Sequence, residues 1–62
     1  MTAWRRPAAA TGPALEARAG SGRVWIRYGA RSGFLIDVAP AEFRQFVEAC
    51  RNGEFDDLAV TP

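Results

Sequence analysis

The chain contains no histidine, no lysine and a single cysteine, Cys50. Without an imidazole base there is nothing to activate a serine or cysteine nucleophile in the usual way. One thiol cannot build a disulfide framework or, lacking histidine, the soft ligand set of a structural zinc site. Asp37, Glu42, Asp56 and Asp57 do not have the spacing of a calcium loop, and the six glycines are scattered among turns with no phosphate-binding or dinucleotide fingerprint. No catalytic, metal or cofactor constellation emerges, so the expectation is a non-enzyme. Nor is there an apolar run near the ~20 residues of a membrane span or the hydrophobic centre of a signal peptide, which points to a cytoplasmic protein.

What the 62 residues do contain is a 48% hydrophobic fraction with two tryptophans and four phenylalanines, enough to argue for a packed domain over disorder. A single domain of this size buries only about 60% of its unfolded surface, so support from dimerisation or a partner is expected. Charge is unevenly placed. Residues 1–36 hold six arginines against one glutamate, net +5, whereas residues 37–62 hold six acids against two arginines, net −4. The use of arginine alone fits a GC-rich genome; the alternative is an arginine surface that meets phosphates or acidic side chains.

The most legible element is a helix over residues 40–52. Pro40 suits its first position, Glu42 its first turn and Arg51 its last, and Asn52-Gly53 supplies a left-handed stop. Ala39 is a poor N-cap. Phe43, Phe46, Val47 and Cys50 recur at helical spacing as one apolar stripe, with Cys50 expected to serve as a small buried hydrophobe.

Upstream, alternation predicts three strands over residues 14–19, 23–28 and 34–38, joined by a two-residue Ser21-Gly22 turn and a looser turn over residues 29–33. Aligning the apolar faces fixes the register: Ala17 opposite Ile26, Glu16 opposite Arg27, Arg18 opposite Trp25, Ile26 opposite Ile36 and Tyr28 opposite Phe34. The fold expected is α+β, an antiparallel meander of three strands, or four with the Trp4 segment, carrying the C-terminal helix on one face. Residues 1–13 form an N-terminal segment and residues 53–62 a tail in which Phe55 tucks back on the helix and residues 59–62 fray. The inner face, Leu15, Ala17, Val24, Ile26, Tyr28, Phe34, Ile36 and Val38, should receive the helix stripe and form the core.

The opposite face carries Glu16, Arg18, Trp25, Arg27, Leu35 and Asp37. Either the N-terminal segment folds over it and Trp4 shields it, or it is a docking surface, since tryptophan and arginine dominate interface hot spots. The candidate partner-binding residues are Arg18, Trp25, Arg27, Leu35 and Asp37. A second reading has Arg18, Arg23, Arg27 and Arg31 meet nucleic acid directly, although the near-zero net charge disfavours a phosphate surface. A third is a homo-oligomer paired through sheet faces or edges.

Ile26-Arg27, a turn ending in Gly33, an apolar strand, Pro40-Ala41-Glu42-Phe43 with Phe46, and Gly53-Glu54-Phe55-Asp56 together resemble the actinobacterial domain-of-unknown-function family numbered three hundred and ninety-seven. Trp4-Arg5-Arg6 and Ala14-Leu15-Glu16-Ala17 stand where that family has its N-terminal tryptophan with basic residues and its first strand. Tyr28-Gly29, Ala39 and Ala14 depart from its usual Asp-Ser, Ser or Thr, and Cys. The resemblance implies a small non-enzymatic accessory protein, of the kind encoded beside XRE-type helix-turn-helix regulators and discussed as antitoxin-like, whose partner is such a regulator.

Overall fold

In the computed structural model, residues 2–31 and 33–59 are described. Met1, Ser32 of the second turn and residues 60–62 of the tail lie outside them. Strands β1 (Leu15–Gly20), β2 (Arg23–Tyr28) and β3 (Leu35–Val38) form an antiparallel sheet in the order β1-β2-β3, followed by helix α1 (Pro40–Arg51) and a short 3₁₀ turn, Asp56–Ala59. The fold is a small α+β meander with its helix at the C-terminal end.

The register is the one the apolar faces require. Ala17 lies opposite Ile26, Glu16 opposite Arg27 and Arg18 opposite Trp25; Ile26 lies opposite Ile36 and Val24 opposite Val38. The β1-β2 hairpin closes with φ of 52° at Ser21 and 72° at Gly22, the pair of positive angles that makes a two-residue loop follow the strand twist. The second hairpin differs from expectation. Tyr28 does not pair with Phe34, because the Tyr28 carbonyl accepts the Arg31 N–H in a turn at 3.0 Å and the Gly29 N–H is drawn to the Ala14 carbonyl at 3.0 Å. Gly33 follows at φ 90°, and β3 begins only at Leu35.

The free edge of β1 is covered by the N-terminal segment. Arg5 and Ala17 exchange both backbone hydrogen bonds, at 2.8 and 2.9 Å. Farther out, the Thr2 N–H donates to the Ala19 carbonyl and the Ala19 N–H to Thr2 Oγ1, each at 3.0 Å. The fourth strand is thus a single bridge, sufficient to cap an otherwise open edge.

Helix α1 starts one residue after β3. Ala39 is extended and offers no side-chain cap, but Glu42 Oε1 accepts the Ala39 N–H at 2.8 Å, half of a capping box. At the far end Glu54 N–H reaches the Ala49 carbonyl and Gly53 N–H the Cys50 carbonyl, with Gly53 at φ 76°, the paired bonds of a Schellman stop. Phe55 then turns back onto Phe46, ring centroids 5.3 Å apart.

The core is much smaller than the periodicity suggests. Val24 alone is buried among the described residues, at 9% exposure, while Leu15 (66%), Phe34 (64%), Ile36 (59%), Phe46 (52%) and Tyr28 (42%) stand largely in solvent. Cys50 is exposed as well, so it is not a buried hydrophobe. The cause is geometric. The one-residue link at Ala39 holds the helix start at the Val38 end of the sheet, where Phe43 and Phe46 line a hollow of about 220 Å³ together with Ile26 and Val38. Leu15 and Tyr28, at the opposite end of β1 and β2, lie about 13 Å farther along the strands. The radius of gyration, 12.6 Å, exceeds the about 11 Å expected of a compact chain of this length.

Candidate functional site

The outer face of the sheet is organised by Trp4. The Arg27 guanidinium lies 4.1 Å and that of Arg18 4.7 Å from the centre of the Trp4 ring, and Arg18 also approaches the Trp25 ring at 5.8 Å. The strand alternation places Arg18, Trp25 and Arg27 on this side, and the bridge at Arg5 delivers the indole to them. Of the two readings of this face, partial cover by Trp4 is what the geometry contains. Trp4, Arg18, Trp25 and Arg27 are all half-buried.

Arg27 is fixed from a second direction. Its Nε donates to Glu16 Oε1 at 2.6 Å across the β1-β2 pair, and Arg6 Nη1 approaches the other Glu16 oxygen at 3.8 Å. Arg6 in turn donates to the Gly12 carbonyl, tying the loop after the N-terminal segment to the sheet. Glu16 is nearly enclosed, its side chain 11% exposed, so its pair with Arg27 resists screening better than an open surface pair does. Arg18 is less well served. Its Nε is buried without a hydrogen-bond partner among the described residues.

Beside this cluster a depression of about 450 Å³ is lined by Trp4, Arg18, Arg27, Arg31, Phe34 and Leu35. Arg31 sits over the Phe34 ring at 5.6 Å, and Leu35 is 58% exposed. The predicted partner-binding set thus divides. Arg18, Arg27 and Leu35 share the depression; Trp25 lies behind Arg18; Asp37 stands opposite Trp25, paired with Arg23 Nη2 at 3.3 Å. Trp4, Arg31 and Phe34 belong to the site too. Trp4 and Arg31 lie outside the three strands, and Phe34, expected by alternation on the inner face opposite Tyr28, precedes the start of β3 and lines this depression as well as the inner groove.

For nucleic acid the arrangement is less suited. Two of the four arginines expected to meet phosphates, Arg23 and Arg27, are paired with Asp37 and Glu16, leaving no row of uncompensated cations across the hairpin. Among the described residues there is no cluster of three or more acidic or sulfur side chains able to hold a metal ion, and no helix long and apolar enough to cross a membrane. Comparison with protein-family models, with curated proteins and with solved structures finds no match to this chain.

Proposed function

We propose that the protein is a non-catalytic accessory factor that binds a helix-turn-helix transcription regulator and modulates its DNA binding, using the outer face of the sheet. The observation that carries this reading is the cluster of Arg18 and Arg27 stacked on Trp4 beside the exposed Leu35. Rigid aromatic and arginine groups next to an apolar side chain are the chemistry of interface hot spots. The identity of the partner class rests on the family resemblance.

Co-expression with a helix-turn-helix regulator encoded beside it, followed by size-exclusion chromatography, tests this. Co-elution that is lost on Leu35→Glu supports the proposal. Separate elution at micromolar concentrations of both proteins contradicts it.

A further inference from the structure

The largest feature that the outer-face site leaves unused is the inner face. Its apolar surface begins at the hollow that Phe46 of α1 lines with Ile26 and Val38, and continues past Ile26 into a groove formed with Leu15, Tyr28, Phe34 and Ile36. Five of these side chains are between 42% and 66% exposed, amounting to roughly 500 Å² of apolar area on one side of the molecule. The whole chain exposes 5108 Å², whereas a compact monomer of 6.8 kDa exposes about 4,000 Å². With a polar rim around it, the inner-face patch approaches the ~800 Å² that each partner contributes to a standard protein interface.

We infer that a second copy of this chain covers the inner face, in a two-fold pair. Two properties of the surface favour a copy of itself over another occupant. The patch has a sheet end and a helix end, so a two-fold axis near Ile26 lays the Leu15, Tyr28 and Ile36 end of one protomer against the Phe46 end of the other. The ends are also opposite in charge. Arg31 rims the sheet end, whereas Glu42 rims the helix end and Glu54, Asp56 and Asp57 flank Phe55, which stacks on Phe46. The axis therefore sets Arg31 of each protomer beside the acids of the other. Because the inner faces meet, the two outer faces point away from each other, and the pair presents two copies of the Trp4 cluster.

Sedimentation equilibrium of the full chain from about 1 µM to about 500 µM tests the inference. The expected result is a reversible shift from 6.8 kDa to twice that mass, with dissociation favoured by added salt. Ile36→Glu and Leu15→Glu each place a charge on the inner face where little intramolecular packing is at stake, and each should weaken the dimer by tenfold or more. A monomer at every concentration overturns the inference and leaves the face to a different protein. A dimer unaffected by both substitutions overturns it too, as does open-ended growth with concentration. Neither variant touches the outer face, so regulator binding by the variants reports separately on the proposed function.

Discussion

The Arg27 guanidinium lies 4.1 Å from the centre of the Trp4 ring while its Nε holds Glu16 Oε1 at 2.6 Å. One side chain thereby joins three segments: the N-terminal stretch, β1 and β2. In a chain with so little buried interior, this polar and aromatic stack on the outer face carries a share of stability that a larger domain would leave to its core.

Trp4→Ala removes two cation–π contacts and the burial of most of an indole, and should cost about 2 kcal/mol or more, with Trp4→Phe recovering part of it. Urea unfolding followed by far-UV circular dichroism measures the loss. A cost under about 0.5 kcal/mol would mean that the N-terminal segment is held by its backbone bonds to β1 alone.

Ser21 occupies φ 52°, a left-handed conformation that asparagine adopts more readily than serine. Ser21→Asn, which produces the preferred pair for this hairpin, should raise stability by about 0.5 kcal/mol, seen as a rise of about 2–4 °C in the melting midpoint. Ser21→Val should lower it.

Ala39→Ser adds the missing acceptor at the N-cap. The backbone there is already extended, φ −69° and ψ 147°, and Glu42 already accepts the residue's N–H, so serine completes the capping box without rearrangement. A gain of about 1 kcal/mol is expected in equilibrium unfolding. An unchanged midpoint would place the helix start outside the cooperative unit.

Local order was readable from the residues because short-range chemistry determines it. The Ser21-Gly22 turn, the Gly53 stop and the odd-numbered pairing sum that sets Glu16 against Arg27 each follow from one or two side chains. The reach of the helix was not readable. Periodicity states that Phe43, Phe46 and the inner-face residues are apolar on one side, but not how far a helix of about 18 Å, tethered by Ala39 to the end of β3, extends over the sheet. Hence the apolar set was correctly grouped and wrongly buried. At the outer site, Arg18, Arg27 and Leu35 were identified by alternation, whereas Arg31 and Phe34 enter through a turn whose geometry depends on the Tyr28 carbonyl.

The sharpest check on the division of labour between the two sheet faces is ¹⁵N-edited NMR of the labelled protein during titration with the helix-turn-helix regulator proposed as its partner. The amides of Arg18, Trp25, Arg27 and Leu35, with the Trp4 and Trp25 indoles, are expected to shift or broaden while those of Ala17, Ile26 and Ile36 stay largely in place. Perturbation confined to the inner face or the helix, with the two indoles unmoved, would contradict it.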